Sequence, residues 1–194
     1  MGVIFSASSC LSWIAGVNQQ KESELIEKLE SRPLEPGNIC FIPYLSGERT
    51  PHNNPNAQGV FLGLKHEHGS LEMTQAVLEG VAYAFGDCQR VLLETGADIG
   101  EVSLIGGGSR SRLWGQILAS VLNRPLNRHE GSELGPAQGA ARLAMLTARQ
   151  GSLEQICSRP KISETLEPQP SLVMHYQEKH EQYRKIYRSL EDFL

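Results

Sequence analysis

The sequence has few of the features that mark membrane, disulfide-rich or zinc proteins. Its 194 residues contain four cysteines (Cys10, Cys40, Cys88 and Cys157), and none of them has the close spacing of a zinc or redox motif. No apolar run of about 18 residues is present, and residues 1–14 lack a basic start followed by a long apolar stretch. We therefore expect a protein of the cytoplasm with reduced thiols, and no membrane span, signal peptide, disulfide framework or zinc site.

An excess of charge of one sign is also missing. The sequence has 18 Lys and Arg against 22 Asp and Glu, a net charge of -4. Such a balance gives no electrostatic reason to expect nucleic acid or an anionic membrane as a partner. The charged fraction of 21% and the hydrophobic fraction of 40% are typical of a soluble globular protein. The length suits one domain with a sizeable core.

One stretch combines a predicted strand, a run of glycines and a predicted helix. Residues 102–105 are rich in branched side chains and predict a buried strand, and residues 106–108 are all glycine. Apolar residues then recur with helical spacing over residues 113–122, behind Ser109 or Ser111 as the helix cap. Glycines ahead of a helix N-terminus expose backbone N–H groups to a ligand, which suits a nucleotide or a phosphate. A tight turn without a ligand is the alternative.

The same glycines support a second, weaker hypothesis. Gly106, Gly108 and Ser111, with Glu130 about 20 residues further on, imitate the fingerprint of dinucleotide-binding proteins. The third glycine of that fingerprint is missing, and no second βαβ half follows. An NAD-binding oxidoreductase therefore stays an alternative to an enzyme that binds ATP, and a non-catalytic interaction domain is a third hypothesis.

The remaining sequence alternates predicted helices and strands. Helices are predicted for residues 5–15, 21–29, 70–95 with Ser70 as the cap, from Gly135 onward with a face of small residues that can pack very close to a neighbour, and from Ser171 onward. Strands are predicted for residues 39–45, 59–64 and 126–128, and residues 160–170 are predicted to form a linker. The order indicates an α/β fold. Since almost no residues that could form a strand precede Phe5, we expect the first strands of the domain to lie outside this sequence.

Three smaller features have ordinary structural explanations. Gly80 follows Glu79 inside a predicted helix, which indicates close packing of that helix against a neighbour. His180 lies in the apolar stripe of the terminal helix and is expected in the core or an interface. His66 and His68 lack further ligands nearby, so no metal site is expected there.

Three ordered motifs resemble the FGGY family of carbohydrate kinases. The sequences GVFLGL (59–64) and EMTQAVLE (72–79) match the family's second signature. The sequence IGGGSRSRLWGQ (105–116) resembles its adenine-binding segment, and GPAQGAA (135–141) resembles the helix that follows. The loop at residues 41–53 looks most like that of the bacterial members that phosphorylate D-xylulose.

The resemblance implies a ribonuclease H-like, actin-like fold of two domains with ATP in the cleft between them. Residues 1–194 would be an incomplete C-terminal, nucleotide-binding half. The missing N-terminal domain would supply the sugar pocket, the general-base aspartate and most contacts to Mg²⁺ and the phosphates. The implied activity of the complete enzyme is phosphorylation of D-xylulose to D-xylulose 5-phosphate by ATP and Mg²⁺, with glycerol, gluconate or ribulose as alternative substrates. The chain alone is expected to be inactive.

The resemblance also assigns nucleotide-binding residues, which are Gly106, Gly107, Gly108, Ser111, Ser8 and Ser12. Gly107 and Gly108 would lie against the adenine and ribose, and Ser111 would occupy the family's polar adenine-contact position. Ser8 and Ser12 match positions beside the nucleotide in the related glycerol kinases, where glycine and glutamine are found. No catalytic or metal-binding residue is assigned to this chain.

The terminal helix carries an apolar stripe that predicts association. Its members are Leu172, Tyr176, His180, Tyr183, Tyr187, Leu190 and Leu194. Exposed apolar patches of more than a few hundred Å² are unusual on monomers, and absence of the N-terminal domain would expose more surface. We therefore expect self-association, with a homodimer as one form.

Overall fold

A 25-residue helix in the middle of the chain carries most of the core. The computed structural model describes residues 1–193. Its helices are α1 (Ser8–Val17), α2 (Glu22–Glu30), α3 (Ser70–Glu94), α4 (Arg112–Leu122), α5 (Gly135–Thr147), α6 (Leu153–Ile156) and α7 (Pro170–Leu190). Its strands are β1 (Cys40–Pro43), β2 (Gly59–Leu62), β3 (Val102–Leu104), β4 (Leu126–His129) and β5 (Ile162–Leu166). The predicted α/β class is confirmed.

The N-cap of helix α3 lies one residue before the predicted cap. Gly69 is the N-cap, and its backbone N–H donates to the Glu72 carboxylate at 2.9 Å. Ser70 is the first helical residue, so the prediction that it caps the helix is wrong. Glycine has no side chain with which to complete a reciprocal capping box, but it is tolerated at an N-cap, and the Glu72 carboxylate accepts from its backbone N–H. The helix ends at Glu94, and Gly96 follows with a φ of 80° that favours glycine.

The hairpin of β1 and β2 packs on α3 at a contact that only glycine permits. The two strands are antiparallel, with Phe41 opposite Phe61. A Cβ added to Gly80 would overlap the carbonyl oxygen of Phe41 and come within 3.2 Å of that residue's Cβ. The close packing predicted at Glu79-Gly80 is therefore confirmed. Glycine lowers the helical propensity at this position, but its missing side chain lets β1 approach α3.

The second sheet contains a strand that the sequence did not reveal. Its order is β3-β4-β5, with β3 and β4 parallel and β4 and β5 antiparallel. Strand β5 lies within residues 160–170, so the prediction of a linker there is wrong. The prediction of a buried strand at 102–105 is also wrong, because β3 is an edge strand with a neighbour on one side and Ile105 is 60% exposed.

The tyrosines of the terminal helix point into the chain's own core. Tyr176, Tyr183 and Tyr187 are at most 1% exposed, and the Tyr183 hydroxyl donates to the Tyr44 hydroxyl at 2.8 Å. The part of the stripe formed by these side chains and Leu172 is therefore unavailable to a second copy. Leu194 lies outside the described residues. Self-association stays a prediction, now without the tyrosines as its basis.

Helix α5 exposes the small-residue face that was predicted to pack closely. None of its residues is buried in the described part of the chain, and Leu143 is 67% exposed. The expected close packing is therefore wrong within residues 1–193. The elements that pack most against α5 are the one-turn helix α6 and the short 3-10 turn Ser132–Leu134, and both are too short to cover it.

Two buried carboxylates hold distant segments of the fold together. Glu79 accepts hydrogen bonds from the Gly37 N–H at 3.0 Å, the Gln75 amide at 2.8 Å and the Tyr176 hydroxyl at 3.3 Å. Asp87, 1% exposed, accepts from the ring of His180 at 3.2 Å. Both contacts tie α3 to α7, and the second confirms His180 as a packed histidine.

None of the helices formed by residues 1–193 is both long enough and apolar enough to cross a membrane. Helix α3, with 25 residues, contains buried acidic and polar side chains along its length. Its core positions face other elements of the same chain, so its apolar content is explained by packing.

We predict that Gly80→Ala destabilises the fold. The added methyl group would meet backbone at Phe41, and overpacking of this kind costs about 1–3 kcal/mol. The melting temperature should fall by several degrees. Gly16→Ala in α1 is the matched control, because a Cβ there meets nothing within 4 Å and should leave the melting temperature unchanged or slightly raised. Equal effects of the two changes would contradict the close contact.

We also predict that Glu79 makes stability fall as pH rises. Burial raises the pKa of Glu79 from 4.5 to about 7, against the lowering effect of its hydrogen-bond donors. Between these pH values the folded state keeps a proton that the unfolded state has lost, so the stability contribution of this group decreases with increasing pH.

The Glu79→Gln variant does not titrate at this position, so its stability should rise relative to the parent between pH 5 and pH 7.5. The full effect is at most about 3 kcal/mol, since one pKa unit corresponds to 1.36 kcal/mol. Urea titrations of both proteins at several pH values measure the difference. A difference that stays constant over this range would contradict the raised pKa.

Candidate functional site

A cleft of about 410 Å³ opens between the first two helices and the glycine turn. Ser8 and Ser12 of α1 form one wall, and Gly107, Gly108 and Ser111 form the floor. Five of the six predicted nucleotide-binding residues therefore line one cleft, although about 100 residues separate the two groups in the sequence. The sixth predicted residue lies at the end of the same floor.

Gly106 lines a smaller adjoining cavity of about 120 Å³, together with Gly107 and Gly108. Its φ of 87° lies in the region that favours glycine, and its N–H donates to the Ser132 carbonyl at 2.8 Å. Gly106 therefore makes the turn at the end of β3 and fastens it to the segment before α5. A ligand contact is not needed to explain a glycine at this position.

Gly107 forms the open part of the floor. A Cβ added to Gly107 would meet nothing within 4 Å, whereas one added to Gly108 would lie 3.3 Å from the ring of Trp114. Both belong to the 3-10 turn Gly107–Arg110. The missing side chain at Gly107 therefore leaves backbone exposed to the cleft, which is the arrangement that lets a ligand approach closely.

Two serines stabilise the turn and the helix that follows it. The Ser111 hydroxyl accepts from the Trp114 N–H at 3.1 Å and caps α4, whereas the Ser109 hydroxyl donates to the Gly106 carbonyl at 2.7 Å. Of the two predicted caps, Ser111 is the one observed. Ser109 is 1% exposed and also pairs with the hydroxyl of Ser132 at 3.2 Å, so it is unavailable to a ligand.

Trp114 supports the floor from below. Its indole N–H donates to the Leu78 carbonyl of α3 at 3.0 Å, and the residue is 3% exposed. This bond joins the start of α4 to α3 and so fixes the position of the glycine turn relative to the central helix. Sequence reasoning placed Trp114 on an amphipathic helix but did not assign it to the site.

The third wall of the cleft is acidic, which the sequence analysis also missed. Glu22, Glu27 and Glu30 of α2 line it, and Arg110 is the basic residue among the lining side chains. The Glu30 carboxylate accepts from the Ser111 hydroxyl at 3.4 Å. An acidic wall repels phosphate and attracts hydrogen-bond donors, so this side of the cleft suits a base or sugar hydroxyls. The signal available in the sequence was the run of glutamates on one short helix.

Other sequence features lie outside this cleft. Glu48, in the polar loop before β2, is 2% exposed and accepts from the Arg49 and Thr50 N–H groups at 2.9 and 2.7 Å. Burial raises the pKa of Glu48 to about 7 despite these bonds. Its contacts give it a role in shaping the loop.

The histidine pair that was weighed as a metal site has another arrangement. The His68 ring accepts from the Lys65 N–H at 3.0 Å. Within residues 1–193, no group of three or more His, Cys, Asp or Glu side chains is placed to hold a metal ion.

A second cleft, of about 380 Å³, lies between the end of α2 and the start of α3. The ion pair of Arg32 with Glu72, 2.9 Å apart, lies along it. None of the predicted nucleotide-binding residues lines this cleft. The cleft above the glycine floor is therefore the candidate site.

Comparison with known proteins decides the family. The sequence model of the FGGY family of carbohydrate kinases, C-terminal domain, matches residues 1–148. The chain belongs to this family. It is 41% identical over 194 residues to the xylulose kinase of Escherichia coli (strain K12), covering 98% of this chain and 40% of that protein. It is 39% identical over 196 residues to the xylulose kinase of Klebsiella pneumoniae, covering 100% of this chain and 40% of that protein.

A solved structure of an FGGY relative has the same fold. The crystal structure of a xyloylose kinase from Brucella ovis matches with a TM-score of 0.88 and 39% identity, covering 100% of this chain and 40% of that one. The predicted family and fold class are thus confirmed. The chain spans about two fifths of the length of these relatives. The nucleotide contacts assigned to individual residues stay predictions.

We predict that Gly107→Val blocks the cleft without unfolding the protein. The new side chain has space and no positive φ to strain it, and it would stand where a ligand approaches the backbone. ADP affinity should fall at least tenfold while the melting temperature changes by only a few degrees. Gly108→Val is a poorer test, because displacement of the Trp114 ring would mix folding with binding.

Gly100→Val is the control for this experiment. Gly100 lies outside the cleft, has no positive φ, and a Cβ there also meets nothing within 4 Å. Isothermal titration calorimetry with ADP compares the two variants with the parent. Unchanged ADP affinity in a folded Gly107→Val protein would remove the glycine floor from the binding site.

Proposed function

We propose that this chain is the nucleotide-binding part of a sugar kinase that transfers a phosphoryl group from ATP to D-xylulose, giving D-xylulose 5-phosphate. The observation that carries the proposal is the cleft above Gly107, into which the fold brings Ser8, Ser12, Gly108 and Ser111 as well. The substrate is supported by the xylulose kinases among the relatives, at 39–41% identity.

Within this proposal, the base and ribose lie over Gly107 and Gly108 and beside Ser111. The phosphates extend away from the acidic wall of α2, because Glu22, Glu27 and Glu30 would repel them. The glycine turn supplies backbone N–H groups rather than side chains, so it binds the nucleotide without adding charge.

We further propose that residues 1–194 work with a second domain that carries the sugar pocket and the general base. Phosphoryl transfer depends on positioning of the phosphates and on a residue that accepts the proton of the attacking hydroxyl. The chain's share of its relatives, 40%, leaves room for such a domain in the complete protein. Mg²⁺ prefers phosphate oxygens, waters and one or two carboxylates. No residue of this chain is assigned to Mg²⁺ in this proposal.

One relative from another class of kinase bears on the identity of the sugar. A glycerol kinase from Myxococcus xanthus is 33% identical over 149 residues, covering 76% of this chain. Glycerol, gluconate and ribulose therefore stay alternative substrates. Four free cysteines within the described residues suit the cytoplasm, where we place the enzyme.

An NAD-binding fragment is the competing hypothesis, and nucleotide titrations separate it from the kinase. The acidic wall of α2 would accept hydrogen bonds from a ribose in either case, so the cleft alone does not discriminate. Binding of NAD without binding of ADP would contradict the proposed kinase function.

We predict that the 194-residue chain binds AMP, ADP and ATP with affinities within about tenfold of one another and turns over nothing. Arg110 is the basic side chain among the cleft residues, so the terminal phosphate gains few charge-assisted hydrogen bonds here. Each such bond contributes about 1.5–3 kcal/mol when it is made. Calorimetry with the three nucleotides, with and without Mg²⁺, measures the affinities.

A coupled assay of ADP release in the presence of D-xylulose tests for turnover. The positive control is the same assay with a separately expressed N-terminal domain of a relative added to the chain. Strong preference for ATP, or sugar-dependent turnover by the chain alone, would show that the phosphate-binding or catalytic half has been assigned wrongly.

A further inference from the structure

A separate cavity, of about 180 Å³, lies between α7 and the hairpin of β1 and β2. We call it the α7 cavity. Its walls are the segment that leads into β1, the end of β2, Tyr83 of α3 and one side of α7. None of the residues that line the cleft above the glycine floor lines it, so it is a different site.

The α7 cavity contains a buried hydroxyl that has no hydrogen-bond partner. Tyr83 lines the cavity and is 3% exposed, and its hydroxyl makes no hydrogen bond with any group of residues 1–193. The rings of Tyr176, His180 and Tyr183 surround the Tyr83 ring at centroid distances between 5.5 and 6.2 Å and hold it in place. An unpaired buried hydroxyl is costly, and a ligand that pairs with it would remove that cost.

Lys179 brings a positive charge to the same cavity. Its side chain is partly buried and forms no ion pair within residues 1–193. The lining of the cavity contains no acidic side chain that would compensate this charge. Lys179 and the Tyr83 hydroxyl both interact electrostatically with the Cys40 thiol, which indicates that they face the same part of the cavity.

The chemistry of the walls matches a carboxylate with an apolar chain. One ammonium group and one unpaired hydroxyl can each donate to one carboxylate oxygen, and the single positive charge balances the single negative charge. A phosphate has a higher negative charge at neutral pH and more acceptor oxygens than these two donors satisfy. Ile39, Leu62 and Ile186 also line the cavity and suit a short hydrocarbon chain.

We propose that the α7 cavity binds a short-chain carboxylate, with one carboxylate oxygen accepting from the Tyr83 hydroxyl and the other from the Lys179 ammonium. The hydrocarbon part lies against the apolar side chains of the wall. The cavity joins α7 to α3 and to both strands of the hairpin, so an occupant stabilises the folded chain by binding only its native state. This inference does not rest on the proposed kinase function.

Glu79 adjoins the cavity and would oppose an anion when it is ionised. Gly37, which lines the cavity, donates its N–H to this carboxylate at 3.0 Å, and Glu79 interacts electrostatically with Lys179. Because burial raises the pKa of Glu79 to about 7, the group is mostly protonated at pH 6. A simple carboxylic acid in water is ionised at that pH. Titrations at pH 6 therefore favour the proposed complex.

The experiment is an NMR titration of the 194-residue chain with butyrate at pH 6. We expect saturable shifts with a Kd of about 1–10 mM, the range for a ligand of this size that makes two hydrogen bonds. Butyramide has the same shape without the charge, and it should bind at least tenfold more weakly. Inorganic phosphate is the third probe and should also bind at least tenfold more weakly than butyrate.

A pair of lysine variants tests the charge. Lys179→Gln should weaken butyrate binding at least tenfold, because it removes the charge-assisted hydrogen bond. Lys185→Gln is the matched control, since it removes the same charge from an exposed position of α7 that does not line the cavity. It should keep the parent's affinity for butyrate.

A pair of tyrosine variants tests the hydroxyl. Tyr83→Phe should weaken butyrate binding about tenfold, yet leave the melting temperature of the unliganded chain unchanged or slightly raised, because the hydroxyl makes no hydrogen bond. Tyr176→Phe is the matched variant for stability. It removes a hydroxyl that donates to Glu79 at 3.3 Å, so its melting temperature should fall.

Four outcomes would overturn the inference. They are no saturable shift with butyrate, binding of butyramide or phosphate as tight as that of butyrate, equal weakening by Lys179→Gln and Lys185→Gln, and equal losses of melting temperature in Tyr83→Phe and Tyr176→Phe. The last would show that the Tyr83 hydroxyl has a partner in the folded chain. None of these results bears on the nucleotide cleft, which is tested with ADP.

Discussion

The fold depends on the burial of α3 on nearly all of its sides. This helix packs most extensively against α4, β1 and α1, and it also contacts α2 and α7. One bond links this packing to the cleft, because the Trp114 indole donates to the Leu78 carbonyl inside the core. The glycine turn thus rests on a side chain anchored in α3, and α1, which bears Ser8 and Ser12, packs on the same central helix. The walls of the cleft keep their spacing because the same helix, α3, supports all of them.

A helix buried on most sides must also accommodate polar groups. Glu79, Asp87 and Thr74 are each at most 1% exposed, and a buried polar group is costly unless it is hydrogen-bonded. Asp87 lies 3.2 Å from the His180 ring and 3.6 Å from the Arg184 guanidinium, so its charge is compensated by α7. These contacts explain why α7, with polar residues on most of its surface, is fixed on α3. They keep the terminal helix in place on α3.

The parts of the fold that sequence reasoning found are those with a strong local signal. Helical spacing of apolar residues revealed α3, α4 and α7 with ends within a few residues of those observed. Strand β5 was missed because its residues, ISETL, include a charged and two hydroxyl side chains, and it exists through pairing with β4. The cap of α3 was misplaced by one residue because the N-cap is a glycine, whose N–H donates to Glu72 and which offers no hydroxyl signal. The partner of β5 is a strand elsewhere in the chain, whereas the partner of the α3 cap lies in the first turn of the same helix.

The sequence by itself determined the family, the α/β class and the glycine turn, because order of motifs, periodicity and missing side chains are properties of the chain alone. Only the tertiary structure decided what faces that turn. It brought Ser8 and Ser12 to Gly107, and it set the carboxylate of Glu30 against Ser111. Residues about 80 to 100 positions apart leave no mark of proximity in a single sequence, since contact between them depends on how the intervening helices pack.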